Sequence, residues 1–163
     1  FHEREWRLDQ AMIRLNVMAL TELTRRLLPG MVERGRGRVL NVASVAGFLP
    51  GPLQAVYFAT KAYVVSLSEA LAHELRGTGV TVTALCPGAT ATEFAERAGL
   101  EDALGFKVGV ASAASVARAG YRGMERGRTL VVPGFQNALL VRVLLRLAPR
   151  SLAARVAARF NRR

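Results

Sequence analysis

Cysteine occurs once in the 163 residues, at Cys86, so the chain cannot form an internal disulfide bond. A chain without disulfides is typical of a reducing compartment, and we expect the cytoplasm. The N-terminal segment FHEREWRLDQ lacks the apolar core of a signal peptide, and no apolar run is long enough to cross a membrane. The histidines, His2 and His73, have no partners at metal-ligand spacing, so no metal site is expected.

Acidic residues are also scarce, with 12 aspartates and glutamates against 23 arginines and lysines and a net charge of +11. This charge could indicate a nucleic acid or an anionic membrane as partner, or simply the arginine-rich codons of a genome rich in G and C. The arginines are scattered, and the aromatic residues do not alternate with them as base-stacking residues would. We therefore favour the compositional explanation and expect no nucleic-acid partner.

Helical and strand patterns alternate along the chain. Short β-prone runs are bounded by glycine and proline, and longer segments carry apolar residues at helical spacing. The predicted strands are 38–44, 80–88 and 129–134. The predicted helices are 9–31, 54–76, 112–126 (with Ser112 or Ser115 as N-cap) and two basic amphipathic helices separated by Pro149. This order predicts an α/β fold in which a doubly wound parallel sheet has helices on both faces.

Polar residues follow two of the predicted strands where each strand ends. Ser44 ends the first strand, and Pro87 and Gly88 end the second. Tyr57 and Lys61 lie four residues apart near the start of the intervening helix, so their side chains share one helix face. Because the carboxyl ends of parallel strands meet at one edge of the sheet, we expect these side chains to lie in one cleft.

The pairing of Tyr57 with Lys61 favours acid–base chemistry. A free tyrosine has a pKa of about 10, and a nearby ammonium lowers that pKa because it stabilises the phenolate. Such a phenol can donate a proton to a carbonyl oxygen or accept one from an alcohol, while Ser44 holds the same oxygen. Carbonyl reduction also needs a hydride from a cofactor, because no side chain supplies one.

The stretch NVASVAGFLPGPLQAVYFATKAYVVSLSEALAHEL, followed by GVTVTALCPGATATEF, resembles the catalytic half of the short-chain dehydrogenases/reductases. In that family a serine precedes Tyr-x-x-x-Lys, and Pro-Gly with a threonine comes after the next strand. The segment RLNVMAL resembles the family's helix that carries a catalytic asparagine, and the resemblance is close over residues 9–134. The matching residues are Asn16, Ser44, Tyr57, Lys61, Pro87, Gly88 and Thr92.

The resemblance implies a catalytic role for four residues. Tyr57 would be the general acid/base, and Ser44 would hydrogen-bond the substrate oxygen. Lys61 would lower the pKa of Tyr57 and bind the nicotinamide ribose. Asn16 would hold a water molecule that links Lys61 to solvent, with a polar helix residue without a role as the less favoured alternative.

The resemblance also implies NAD or NADP as cofactor, and we prefer NADP slightly, as a guess. Tyr57, Lys61 and the segment with Pro87, Gly88, Thr90 and Thr92 would bind its nicotinamide end. Thr90 and Thr92 could instead act as caps of a following helix, and the two roles are compatible. Residues 90–109 are expected to form a loop with a short helix. The stretch from Thr92 to Gly109 would line an apolar pocket for a lipophilic ketone or alcohol, its apolar residues being Phe94, Leu100, Leu104 and Phe106.

The family's glycine-rich turn after the first strand is absent from this sequence, and so is its Asn-Asn-Ala-Gly segment. We therefore expect residues 1–134 to be the C-terminal catalytic portion of a Rossmann-like domain whose N-terminal half is missing. The first strand would then present an unpaired apolar edge, so the 163 residues alone should be marginally stable and inactive. A truncated, non-catalytic interaction protein is the alternative.

Residues 135–163 form a basic amphipathic tail in this interpretation. Leu152, Val156 and Phe160 make an apolar stripe, with arginines on the remaining surface. Such helices can lie on an anionic membrane surface, or they can pack on the domain and cover the substrate pocket. The resemblance further implies a homo-oligomer with the helix of Tyr57 and Lys61 in its interface.

Overall fold

A computed structural model describes residues 1–93 and 110–161, apart from the side chains of residues 142, 144 and 146. The first helical stretch consists of α1 (Trp6–Ile13), a π-helical segment (Arg14–Ala19) and α2 (Leu20–Glu33). The centre of the chain contains β1 (Gly37–Val42), a 3-10 turn (Val45–Phe48), α3 (Ala55–Glu74), β2 (Val80–Leu85) and β3 (Thr90–Ala91). The last part contains β4 (Ala111–Ser112), α4 (Ala113–Glu125), β5 (Leu130–Val131), α5 (Phe135–Leu139), a second π-helical segment (Leu140–Leu144), α6 (Leu145–Leu147) and α7 (Arg150–Asn161).

The predicted parallel sheet is present, with the strand order β1-β2-β5. Six residue pairs join β1 and β2 in parallel register, from Gly37 with Val80 to Val42 with Leu85. Strand β5 pairs with the carboxyl end of β2, where Ala84 lies beside Leu130. The connections through α3 and α4 are those of a doubly wound, Rossmann-like fold, which confirms the predicted fold class.

Helices cover both faces of this sheet, and β2 is buried on both sides. Ala84 and Cys86 pack with Val64 and Val65 of α3 on one face. Leu85 points the other way and packs with Val116 of α4 and with Val131. Helix α4 approaches closely at Gly120, where an added Cβ would lie 2.6 Å from a methyl carbon of Leu85.

A buried polar contact fixes α3 on the sheet. The amide nitrogen of Asn41 in β1 donates to the hydroxyl of Ser68 at 3.0 Å, and that hydroxyl donates to the carbonyl of Val64 at 2.7 Å. Buried polar groups are expensive to leave unpaired, so this network favours one placement of the helix. The helix that carries Tyr57 and Lys61 is thereby held in register with the end of β1.

The structure corrects several element boundaries. The strands are shorter than predicted at their carboxyl ends, since Ser44 and Pro87 belong to the loops that follow β1 and β2. A loop and a short helix were expected at residues 90–109. Instead, residues 90–91 form a strand that pairs in parallel with 111–112, with Thr90 beside Ala111. The tail prediction is confirmed in its two helical parts around Pro149, and Ser112 caps α4 by accepting from the backbone N–H of Ser115 at 3.2 Å.

Among the described residues, β1 pairs only with β2, and Val42 at its outer edge is 53% exposed. Several large apolar side chains of the first helical stretch are also exposed, namely Leu15, Met18, Leu23 and Leu27. No helix within the described ranges is long and apolar enough to cross a membrane.

Candidate active site

Ser44 lies between the ends of β1 and β2. Its hydroxyl accepts from the backbone N–H of Ala46 at 3.1 Å and so caps the 3-10 turn that follows. The same hydroxyl lies 3.4 Å from the carbonyl of Pro87, and the N–H of Val45 donates to that carbonyl at 3.0 Å. Because the contact of the hydroxyl with Pro87 is long, its single proton can be donated to another acceptor.

Tyr57 lies in the first turn of α3 with its phenol against Ser44. Burial raises the pKa of Tyr57, and a hydrogen bond with the Ser44 side chain lowers it by a smaller amount. The sequence predicts a lowered pKa, and that prediction is wrong for this state of the molecule because burial outweighs the hydrogen bond. The serine contact makes the phenol part of a pair of hydroxyls rather than an isolated group.

Lys61 lies one helical turn after Tyr57. Its ammonium donates to the carbonyl of Val42, the last residue of β1, at 2.9 Å. The nitrogen lies over the Tyr57 ring, 5.8 Å from its centroid. Burial lowers the pKa of Lys61, with nearby Cys86 opposing the change. The ammonium retains two further protons that can be donated into the cleft.

Asn16 reaches the site from the π-helical segment between α1 and α2. Its amide nitrogen donates to the hydroxyl of Thr60 at 3.1 Å, and that hydroxyl donates to the backbone carbonyl of Tyr57 at 2.8 Å. Local π-helical turns are frequent at functional sites because they redirect one side chain out of the regular helical pattern. The structure thus places Asn16 against the Tyr57–Lys61 turn, while its role in holding water stays a prediction.

The segment after β2 contains the four residues expected to contact a cofactor. The hydroxyl of Thr90 donates to the carbonyl of Gly88 at 3.0 Å, and that of Thr92 lies 3.5 Å from the carbonyl of Thr90. Gly88 packs directly against the side-chain amide of Asn137 in α5, since an added Cβ would lie 2.6 Å from its nitrogen. The expected pocket residues between 94 and 109 lie outside the described residues.

Cys86 directly precedes Pro87 at the end of β2 and is fully buried. Burial raises the pKa of its thiol to about 12, with the charge of Glu69 acting in the same direction. A thiol with such a pKa is not nucleophilic at neutral pH. Cys86 is therefore a packing residue, as its place in the sequence predicts.

Sequence reasoning missed three contacts of the site. Thr60 links Asn16 to the turn of Tyr57, and a threonine inside Tyr-x-x-x-Lys could have suggested a bond to the backbone three residues earlier. The carbonyl of Val42 carries no signal in the sequence, because any residue supplies one. Asn137 contacts Gly88 across 49 positions of the chain, a separation that no local pattern predicts.

A family model described as short chain dehydrogenase matches residues 1–103. A very-long-chain 3-oxoacyl-CoA reductase of Rattus norvegicus is 44% identical over 85 residues, which are 52% of this chain and 27% of that protein. The ketoacyl reductase HetN of a Nostoc species is 46% identical over 79 residues, which are 48% of this chain and 28% of that protein. The matched regions thus span little more than a quarter of these relatives.

A solved short-chain dehydrogenase from Sphingobium yanoikuyae in complex with NADPH is also similar. Its TM-score is 0.78 and its sequence identity is 32%, with 88% of this chain and 56% of that chain covered. The family model covers well over half of the 163 residues and includes the positions of Asn16, Ser44, Tyr57 and Lys61. The chain therefore belongs to the short-chain dehydrogenase family.

Proposed function

We propose that this chain carries the catalytic centre of an oxidoreductase that transfers a hydride between NAD(P) and a carbonyl or secondary alcohol. The observation that supports the proposal is the hydrogen bond between the Ser44 and Tyr57 side chains, with the Lys61 ammonium beside the phenol ring. Two hydroxyls that share a hydrogen bond can together hold one carbonyl oxygen of a substrate.

In this proposal Tyr57 gives its proton to the substrate oxygen as the carbonyl is reduced, and takes it back in the reverse reaction. Ser44 donates its hydroxyl proton to the same oxygen and so stabilises the charge that develops there. A phenol whose pKa is raised by burial stays protonated and is suited to donate a proton. To accept a proton during oxidation it must first become a phenolate, which a further positive charge nearby must favour. The oxidised nicotinamide ring would supply that charge.

The donor set fits the nicotinamide end of NAD(P). The Lys61 ammonium and the Tyr57 hydroxyl would hold the ribose hydroxyls, and the Pro87–Thr92 segment would lie along the carboxamide. When bound, the cofactor supplies the hydride, which no protein side chain can provide. The similar Sphingobium enzyme was solved with NADPH, and we propose NADP over NAD on that ground alone.

The substrate class follows from the named relatives rather than from described pocket residues. The rat and Nostoc proteins are named as reductases of 3-oxoacyl-CoA and of a ketoacyl group. We propose a 3-oxoacyl thioester or another lipophilic ketone as substrate.

An assay of the protein that contains this chain, with NADPH and an acetoacetyl thioester as substrates, tests the proposal. We expect consumption of NADPH that Tyr57→Phe abolishes, while Tyr63→Phe, a change at an exposed phenol of the same helix, leaves it intact. Equal rates in the two variants would overturn the role of Tyr57.

A membrane-associated, non-catalytic role is the second candidate, and one observation favours it. Leu152, Val156 and Phe160 of α7 are each about half exposed, next to the exposed side chains of Arg155 and Arg159. An apolar stripe beside cationic residues suits an anionic lipid surface. Sedimentation with phosphatidylserine vesicles tests it, because Leu152→Ser together with Phe160→Ser should reduce binding, and unchanged binding would dismiss this candidate.

We also propose that the exposed apolar residues of α1 and α2 pair with a second copy of the chain. A groove between α2 and α3 is lined by Leu28, Val32, Leu67 and Leu71, which would be covered in such a dimer. Light scattering after size exclusion should show a dimer that Leu67→Glu dissociates. A monomer at all concentrations would contradict the proposal.

A further inference from the structure

The last residue of α7 contacts the loop that leads from Ser44 to Tyr57. The side-chain nitrogen of Asn161 donates to the carbonyl of Pro52 at 2.9 Å. The side-chain nitrogen of Gln54 donates to the amide oxygen of Asn161 at 3.3 Å. One amide group therefore holds the residues on both sides of Leu53, although more than 100 positions separate them from it in the sequence.

Leu53 has a backbone conformation that needs such support. Its φ angle is 71°, and it is the only described residue other than glycine with a positive φ. A leucine in the left-handed region is strained, and such strain persists only where neighbouring groups impose the conformation. The Leu53 side chain is 63% exposed, so little burial compensates for the strain. The turn bond from the Gln54 N–H to the Gly51 carbonyl closes a β-turn that places Leu53 in this region, and the two hydrogen bonds with Asn161 hold that turn on both sides of Leu53.

The loop is continuous with the turn that carries Tyr57. Gln54 is the N-cap of α3, yet its side chain makes no capping bond and reaches Asn161 instead. Its N–H donates to the carbonyl of Gly51 at 3.1 Å, and its carbonyl accepts from the N–H of Phe58 at 3.1 Å. The first turn of α3 is therefore built on Gln54, and Tyr57 lies within that turn.

The face of α7 that carries Asn161 is partly buried. Ala153 and Ala157 are buried, and they lie at intervals of four residues on the same helix face as Asn161. Arg155 lies on the opposite, exposed side of the helix. Burial of this face directs the Asn161 amide toward the loop, where its two hydrogen bonds are made.

We propose that Asn161 is a positioning residue, which clamps the Pro52–Gln54 loop and thereby orients the helix turn of Tyr57. The clamp itself stands on the two hydrogen bonds and the conformation of Leu53. Its consequence for catalysis rests on the proposed function of Tyr57. Asn161 touches neither the phenol nor the other candidate catalytic groups in this interpretation, so its effect is exerted through the loop.

Amide hydrogen exchange of the chain tests the clamp without any activity. Asn161→Ala removes both hydrogen bonds, and we expect the amides of Gln54 and Phe58 to exchange about tenfold faster or more. Gln54→Ala removes one bond and should give a smaller acceleration at Phe58. Arg155→Ala, on the exposed side of the same helix, is the matched control and should leave these amides unchanged.

The amides of Val64 and Val65, buried in the same helix, serve as the internal reference. Acceleration at Gln54 and Phe58 that stays within twofold of the Arg155→Ala control would overturn the clamp. Equal acceleration at Val64 and Val65 would also overturn it, because Asn161 would then act on global stability.

A second variant tests the link to Leu53. Glycine adopts a positive φ without strain, so Leu53→Gly should reduce the need for the clamp. In the Leu53→Gly background, Asn161→Ala should accelerate exchange at Phe58 by a clearly smaller factor than in the native background. Equal factors in the two backgrounds would show that Asn161 does not support the strained residue.

The catalytic consequence is tested by measuring the rate of ketone reduction with NADPH by the protein that contains this chain. Asn161→Ala should lower kcat several-fold and raise the KM for the nicotinamide cofactor by a smaller factor, because the turn of Tyr57 shifts while the cofactor segment after β2 does not. Faster exchange with an unchanged kcat would retain the clamp and refute its catalytic consequence. Absence of activity in the native protein would refute the proposed function, and the exchange data would still decide on the clamp.

Discussion

The ammonium of Lys61 donates a 2.9 Å hydrogen bond to the carbonyl of Val42, which ties the helix of the candidate active site to the end of strand β1. The strand thereby sets the distance between the ammonium and the phenol one turn earlier. A lysine in this position is both a structural anchor and a charge in the cleft, and substitutions can separate the two contributions.

Lys61→Met should abolish most activity and change stability little. The lost bond to Val42 destabilises the fold, but removal of a partly buried charge offsets that loss, so we expect a change within about 1 kcal/mol. Activity should fall by a factor of about 100 or more, because proton transfer by the phenol loses its charged neighbour. Urea unfolding and kcat/KM measure the two effects, and Arg25→Met, a surface change, is the control. A large loss of stability with normal activity would contradict the expectation.

Ser44→Ala and Tyr57→Phe should both reduce activity but differ in their effect on stability. Ser44→Ala removes the acceptor for the N–H of Ala46 and should cost about 1 kcal/mol, as loss of an N-cap does. Tyr57→Phe removes a buried hydroxyl without disturbing that cap, so its free energy of unfolding should stay within about 0.5 kcal/mol of the native value. Equal destabilisation by both substitutions would show that the phenol, too, has a structural role.

Stability should decrease at alkaline pH because of Cys86. Its pKa is about 12 in the folded chain against an ordinary value of 9.0, so the unfolded chain loses the proton first. The stabilising contribution is therefore complete below pH 9 and is lost as the pH rises toward about 12. The raised pKa of Tyr57 acts in the same direction. Its stabilising contribution starts to be lost above the ordinary tyrosine pKa of 10.0.

Thermal unfolding between pH 8 and pH 11 measures this effect. Cys86→Ala should flatten the decrease in Tm with pH, whereas Tyr121→Phe, at an exposed tyrosine, should not. The thiol of the folded native chain should also resist alkylation at pH 8 and react only on unfolding. Rapid alkylation of the folded chain would show that Cys86 is accessible and would contradict the assigned burial.

Gly88→Ala should destabilise the fold through its contact with Asn137. The added Cβ would lie 2.6 Å from the Asn137 nitrogen, closer than such atoms approach without displacement. We expect a loss of about 1–3 kcal/mol, typical of overpacking. Asn137→Ala in the same chain should recover part of this loss, although it also removes the bond to the Pro133 carbonyl. Additive losses in the double variant would show that the two side chains do not compete for the same space.

The sequence predicts the residues of the candidate active site more fully than it predicts the short strand pairings around the site. Ser44, Tyr57 and Lys61 follow from residue type, helical spacing and the rule that parallel strands end at one edge. Asn16 follows only from the family resemblance, and the structure links it through Thr60 to the turn of Tyr57. The pairing of Thr90 with Ala111 was not predictable, because two-residue strands carry no periodic signal. The direction of the pKa change of Tyr57 was also missed, since burial depends on packing rather than on the neighbouring lysine.

The sequence by itself determined the α/β alternation, the length of the main helices and the elements on which the candidate catalytic residues lie. These properties depend on local periodicity and on turn residues, which act over a few positions. Only the tertiary structure decided that Lys61 binds the Val42 carbonyl and that Asn161 holds the loop before Tyr57. Backbone carbonyls and distant amides have no pattern of their own, and their contacts exist only once the helices have packed on the sheet.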